Sequence, residues 1–315
     1  MKVHQNIERL PAFNKAVVTI GTFDGVHLGH QQIITQLKKE AARIGGETVL
    51  VTFDPHPRKI VSEKPLQLIN TLDEKIELLE KKGINHLVVV PFTTAFSAQP
   101  AEQYVEDFLI GRFHPHTVII GYDHRFGKSR VGDFKLLEKY ASNYAFELIE
   151  IPGQVIDEAT ISSTKIREAL LQGKPEEARR FLSYDYFFEG MVTEGNKLGR
   201  TIGYPTANLQ IQGEDKLVPA NGVYAVTIAV KNSSSENKIY KGMMNIGVRP
   251  TIDGTKKVIE ANIFNFNKDI YGQSLRVYLK KYLRTEQKFD GLESLKAQLA
   301  RDKEQAEKVL SNNLP

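Results

Sequence analysis

Through the first half of the chain, apolar and β-branched runs at 16–20, 48–53, 86–91, 117–120 and 147–151 alternate with stretches of helical periodicity. Ile33, Leu37, Ala41 and Ile44 recur at helical spacing, as do Ile76, Leu78 and Leu79 after Asp73, and Tyr104, Val105 and Phe108 after Pro100. Strands alternating with helices predict βαβ units, a mainly parallel, Rossmann-like α/β sheet, and a ligand site at the carboxyl ends of its strands. Two short helices close this half. One follows Ser163 and Thr164 and stops at Gly173, and the next opens with Pro175, Glu176 and Glu177. After Tyr184 the pattern changes to short runs at 186–192, 222–230, 239–244, 258–266 and 275–279, punctuated by Gly, Asn and Pro, with 232–237 as a solvated hairpin loop. That texture predicts an antiparallel β-barrel. A final amphipathic helix follows Gly291, with Leu292, Leu295, Leu299 and Ala306 on one side. The change of pattern divides the chain into domains at 1–184 and 185–315.

Composition supports two folded domains and excludes several functions. A length of 315 residues exceeds one ordinary core, and 41% hydrophobic with 25% charged residues suits globular protein. The net charge of +4, from 42 basic and 38 acidic residues, gives no support for a nucleic-acid or membrane partner. The cysteine count of 0 removes disulfides, zinc–thiolate sites and cysteine nucleophiles, and fits a reducing compartment. The N-terminal segment lacks the cationic-then-apolar pattern of a signal peptide, and no run approaches the roughly 18 apolar residues of a membrane span. The expectation is a soluble, cytoplasmic protein, with homo-oligomer formation left open.

The first segment with chemical content is residues 21–30, Gly-Thr-Phe-Asp-Gly-Val-His-Leu-Gly-His, between the first strand and the first helix. His27 and His30, three apart, share a helix face at an N-terminus that suits phosphate, and no acidic residue appears in that helix before Glu40. The ordinary alternative is that one histidine caps the helix while the other packs. The second segment is residues 161–167, Ile-Ser-Ser-Thr-Lys-Ile-Arg. Ser163 or Thr164 is a candidate N-cap, yet Lys165 and Arg167 sit in a first turn where cations oppose the helix dipole. A local rule broken beside the well-formed start at Pro175 points to a polyphosphate clamp, against an ordinary solvated basic turn. The run Gly121 to Ser129 is no P-loop, because five residues separate its glycines where that motif has four.

Together these segments resemble the nucleotidyltransferase superfamily with HxGH and ISSTxxR signatures. With residues 52–57 (Thr-Phe-Asp-Pro-His-Pro) and 121–127 (Gly-Tyr-Asp-His-Arg-Phe-Gly), they resemble the adenylyltransferase module of bacterial FAD synthetases. The resemblance implies that FMN phosphate attacks the α-phosphorus of ATP and releases pyrophosphate, with no covalent enzyme intermediate. It implies further that His27, His30 and Arg167 act on the phosphoryl groups and that Gly21, Phe23, Gly29, Ser163 and Thr164 bind the nucleotide. Asp123 and Arg125 would line the flavin side, and Mg²⁺ would accompany the ATP.

In the second half, Pro205 places the segment 199–208 at an edge or a lead-in to a strand. Thr206 and Asn208, two apart, share a face if extended, and their neutral oxygens could help coordinate Mg²⁺; an ordinary Asn turn is the alternative. Glu260 lies in an apolar stretch, where a lone carboxylate is ordinarily exposed or ion-paired. The order Gly-Arg-x-x-Gly-Tyr-Pro-Thr-Ala-Asn (199–208), Met244 to Thr251, Glu260, Asp269 to Gly272 and Leu283 to Phe289 resembles the riboflavin kinase family. That resemblance implies that Thr206 and Asn208 bind the Mg²⁺–nucleotide, that Gly199 and Gly203 approach its phosphates, and that Glu260 is general base for phosphorylation of riboflavin by ATP. Asn262 and Asn265 depart from that pattern, where His and Asp are common. The combined expectation is a bifunctional enzyme taking riboflavin to FMN and then to FAD. A transferase for another phosphate acceptor, or a flavin-binding regulator without turnover, are the competing readings.

Overall fold

The computed structural model of the chain describes residues 1–151, 155–156, 159–195, 198–231, 238–251 and 254–311. The expected hairpin loop at 232–237 lies outside the described residues. The chain divides into two compact units, Met1–Ser163 and Thr164–Pro315.

The first unit is built on a parallel sheet of six strands: β1 (Lys2–His4), β2 (Val17–Ile20), β3 (Thr48–Asp54), β4 (His86–Pro91), β5 (Thr117–Gly121) and β6 (Glu147–Ile151), in the order β1-β4-β3-β2-β5-β6. The central strands read as continuous apolar runs because helices cover both faces. Val18, Val51, Val90 and Val118 share one core with Val105, Phe108 and Leu137. β1 carries no apolar run, and its parallel pairing with β4 was not legible as a strand. Helix Leu28–Ile44 buries Ile34, Leu37 and Ala41, one register from the expected Ile33 stripe. The helical run after Pro100 is wound as a π-helix over Tyr104–Ile110. Because the chain leaves β2 toward β3 on one side and returns through β5 on the other, the sheet's switch point falls between β2 and β5, where the segment 21–30 emerges. A small antiparallel pair, β7 (Val155–Ile156) and β8 (Ala159–Thr160), follows the sheet.

The second unit begins with helices Ser163–Leu171 and Pro175–Leu182. Gly173 joins them at φ +70°, and a Cβ there would stand 3.0 Å from the Tyr282 ring. The two helices thus fall with the barrel by compactness, although the change in sequence pattern lies beyond them. The barrel closes in the order β10-β13-β12-β11-β14-β9, all antiparallel: β9 (Phe187–Thr193), β10 (Ala207–Ile211), β11 (Gly222–Val230), β12 (Ile239–Thr251), β13 (Gly254–Ile263) and β14 (Ser274–Arg284). Pro205 precedes β10 and so serves as a lead-in to a fully paired strand. β11 is buried on both faces, since helix Leu292–Ser311 packs on its outer side through Ala306 and Leu310 against Ala225, Met243 and Phe264.

That last helix corrects one expectation. Leu292 is 51% exposed, while Asp302 in the buried stripe is 1% exposed. Asp302 takes a two-pronged hydrogen bond from Arg284 at 2.8 and 2.7 Å, and another from Gln298 at 2.8 Å. Hydrophobic periodicity cannot see a buried carboxylate whose partner lies on a distant strand. Breaking such a pair leaves an uncompensated buried charge and costs about 3–5 kcal/mol, whereas replacing both members with apolar residues is often neutral. Asp302→Ala is therefore expected to lower the thermal midpoint of the second unit strongly. An Arg284→Met, Asp302→Leu double replacement should recover most of it, as read by calorimetry.

Candidate active sites

In the first unit, β2 delivers Gly21, and the chain turns through Phe23 and Val26 at φ +48° and +39° before helix Leu28–Ile44 starts. Such conformations cost a non-glycine residue roughly 1–3 kcal/mol and persist only where surroundings over-determine them. Here the Thr22 carbonyl accepts from Lys75 Nζ at 2.8 Å and from Thr52 Oγ1 at 3.0 Å. The buried Asp24 carboxylate accepts from the backbone N–H groups of Ile69 and Asn70. Ser163 Oγ donates to the Asp24 carbonyl at 2.8 Å, which ties Ser163 to the first loop. A rigid, strained turn at a switch point is the kind of scaffold on which sites are built.

His27 is the N-cap of helix Leu28–Ile44, its Nδ1 accepting from the His30 N–H at 3.4 Å. The two imidazoles stack with centroids 3.6 Å apart, and Phe23 covers His30 at 4.9 Å. A Cβ on Gly29 would stand 3.3 Å from the His27 ring, so the glycine makes room for the stack. The ordinary reading is half met, since His27 does cap. His30, however, leaves a buried Nδ1 without a hydrogen-bond partner. Burial first, then the neighbouring His27 and Lys75, holds its pKa well below the ordinary 6.5, so the ring is neutral. The helix has no acidic residue in its first turn, which leaves its N-terminal positive potential uncancelled.

The helix carrying the second signature spans Ser163–Leu171, so Ser163 and Thr164 both lie inside it and neither is its N-cap. Thr164 and Lys165 are exposed and Arg167 is half-buried. Asp123 and Arg125 sit on the loop after β5, the neighbour of β2, and both are exposed. Arg125 donates to the His124 carbonyl, and neither residue joins the stack of His27, His30 and Phe23.

In the second unit, a cavity of about 330 Å³ opens in the barrel wall. Gly199, Thr206, Asn208 and Glu260 all line it. Register explains the convergence: Glu260 on β13 is paired with Asn208 on β10 and with Asn245 on β12, so the three stand side by side on one face. Arg249 Nη2 donates to Glu260 Oε1 at 2.8 Å. Asn245 donates to a second carboxylate, Glu286, at 3.2 Å. Two glycines keep this wall open. A Cβ on Gly195 would fall 2.0 Å from Asn208 Nδ2, and one on Gly247 would fall 2.1 Å from Glu286 Oε1. Gly199 is demanded by its own turn, because its Cβ would stand 2.3 Å from the Tyr204 carbonyl oxygen. Gly203 is an exposed turn residue at φ +83° and does not line the cavity.

Sequence reasoning did not single out Asn245, Arg249 or Glu286. Each stands in a quoted motif, but their meeting depends on strand register, which a one-residue slip would reverse. The departure at Asn262 gains a structural account: its buried amide donates to the Pro205 carbonyl at 2.7 Å and so holds the lead-in to Thr206. Asn265 sits at φ +54°, a conformation that Asn tolerates better than most residues.

Two family models match the chain, FAD synthetase over residues 10–165 and riboflavin kinase over residues 182–310. The bifunctional riboflavin kinase/FMN adenylyltransferase of Listeria monocytogenes is 39% identical over 91% of this chain and 90% of its own. The protein of the same description from Bacillus subtilis is 36% identical over 95% and 93%, and that from Escherichia coli K12 is 34% identical over 91% and 90%. The chain belongs to the bifunctional riboflavin kinase/FMN adenylyltransferase family.

The family's two parts correspond to the two sites above: the matched FAD synthetase region carries the histidine stack, and the matched riboflavin kinase region carries the barrel cavity. A crystal structure from Streptococcus pneumoniae, described as a macrolide-efflux protein, is 31% identical, with a TM-score of 0.87 covering 100% of this chain and 99% of that one. Among the described residues here, no helix is long and apolar enough to cross a membrane.

Proposed function

We propose that the chain makes FAD from riboflavin in two ATP-dependent steps, phosphorylating riboflavin in its second unit and adenylylating FMN at the histidine site of its first. The single observation that carries the reading is Glu260 standing opposite Asn208 inside the barrel cavity, in a chain that also stacks His27 on His30 at a helix N-terminus.

In the kinase step, Glu260 accepts the proton of the ribityl 5′-hydroxyl as that oxygen attacks the γ-phosphorus of ATP and ADP departs. Arg249, bonded to Glu260 Oε1, orients the carboxylate. Thr206 and Asn208 offer neutral oxygens at the cavity wall, and among the described residues no group of three or more His, Cys, Asp or Glu is arranged to hold a metal. That donor set fits a Mg²⁺ that arrives on the nucleotide, with phosphates and water as its other ligands. When bound, the ion would neutralise charge on the transferring phosphoryl group.

In the adenylyl step, a phosphate oxygen of FMN attacks the α-phosphorus of ATP and pyrophosphate leaves. His27 and the neutral His30 donate to phosphoryl oxygens, the helix N-terminus adds positive potential, and Ser163, Thr164 and Arg167 hold the departing phosphates. Gly21, Phe23 and Gly29 shape the nucleotide side of the loop, and Asp123 and Arg125 face the flavin.

Incubating the protein with riboflavin, ATP and Mg²⁺ tests this directly: chromatography should show FMN and then FAD. No flavin nucleotide from riboflavin would refute the kinase step. No FAD from supplied FMN would refute the adenylyl step.

A further inference from the structure

Beneath the histidine loop lies a charged group that the steps above do not use. Lys75 is only 6% exposed, on helix Leu72–Glu80. The start of that helix is fixed by a reciprocal capping box, Thr71 accepting from the Glu74 N–H while Glu74 accepts from the Thr71 N–H. A buried lysine is uncommon unless it is paired. Its Nζ donates to the Thr22 carbonyl at 2.8 Å and to Thr52 Oγ1 at 3.3 Å, while Thr52 Oγ1 itself donates to the same Thr22 carbonyl. Lys75, Thr52 on β3 and Thr22 therefore form a closed triangle immediately before Phe23, the first residue of the strained turn.

We propose that Lys75 is a positioning residue for adenylyl transfer, its buried amine tying the loop 21–27 to β3 and so setting where His27 and His30 stand. The inference rests on the assignment of the histidine site to that reaction. The geometry singles out Lys75 because the turn must hold a β-branched residue, Val26, at φ +39° directly before the capping histidine. Without an anchor upstream, the turn relaxes and the stacked rings lose their aim; a misplacement of about 1 Å can cost a reaction about 10²-fold. Lys75 also acts on His30 electrostatically. The titratable groups around His30 are His27, on the same helix turn, and Lys75, from the neighbouring helix; both disfavour its protonation after burial has done so first. Around Lys75 itself, burial pulls its pKa down, while Asp24 and Asp54 pull it back up. The amine thus feels the carboxylates of Asp24 and Asp54 and helps to hold the His30 ring neutral as well as in place.

The test compares Lys75→Met, which loses both donor and charge, with Lys75→Gln, which keeps a donor for the Thr22 carbonyl. FMN adenylylation is measured against pH in the full-length protein, beside riboflavin phosphorylation by the same preparation. Titration of the His30 ring by NMR serves as a readout independent of turnover. The expected result for Lys75→Met is a fall in kcat for FAD formation on the order of tenfold to a hundredfold, with riboflavin phosphorylation at the wild-type rate. In both variants the His30 titration and the acid limb of the adenylylation profile should move to higher pH. Lys75→Gln should retain more of the kcat.

Wild-type kcat and an unmoved His30 titration in both variants would overturn the proposal. So would an unfolded first unit in Lys75→Met together with a folded Lys75→Gln whose rate and acid limb match wild type, which would leave Lys75 a purely structural role. Wild-type protein that makes no FAD from FMN would refute the site assignment instead, and the His30 titration would still report on Lys75.

Discussion

Glu260→Gln is expected to slow riboflavin phosphorylation by about 10²–10⁴-fold, the ordinary contribution of a positioned general base, while FMN supplied directly is still adenylylated. The substitution is nearly isosteric and keeps an oxygen for Arg249, so the barrel wall should survive it. What it removes is the ability to take a proton. Glu286, the second carboxylate of the cavity, is bonded by Asn245 and stands against Gly247. Rates of FMN formation from riboflavin and of FAD formation from FMN, measured on one preparation, check the prediction. Equal loss of both activities would mean that Glu260 serves the fold, and unchanged phosphorylation would remove it from the reaction.

His30→Ala is expected to give the opposite pattern, with product stalling at FMN and FAD formation down by about 10²–10³-fold, the usual cost of deleting one donor to a developing oxyanion. The substitution also takes away one ring of the 3.6 Å stack, so some of the loss arises through His27. A second signature separates this site from a merely packed histidine. The folded-state pKa of His30 is depressed below 6.5, so the unfolded chain binds the extra proton more readily. Its stabilising contribution is therefore complete above about pH 6.5 and is lost as pH falls below it. His30→Ala should flatten that acid-side decline in unfolding midpoint.

Much of this arrangement was legible before any coordinates. Alternation of apolar runs with helical spacing identified the five long strands of the sheet, and the short punctuated runs identified the barrel, because each pattern follows from which faces are covered. The residues Gly199, Thr206, Asn208 and Glu260 line one cavity, while Gly203 does not. What remained hidden was long-range. β1 is short and polar, and becomes a strand only because β4 offers an edge. Asp302 reads as an error in a hydrophobic stripe until Arg284 is placed beside it. Asn245 and Glu286 depend on strand register and on the empty space at Gly247. No motif or periodicity marks Lys75, because its burial follows from tertiary packing against the loop at Thr22.

The central claim is that one chain performs two different phosphorus transfers in series, and position-labelled ATP tests it most directly. With riboflavin and [γ-³²P]ATP, label should enter FMN and persist into FAD. With [α-³²P]ATP, label should appear only in FAD, never in FMN. Absence of γ-label from FMN, or of α-label from FAD, would contradict the account at the corresponding site.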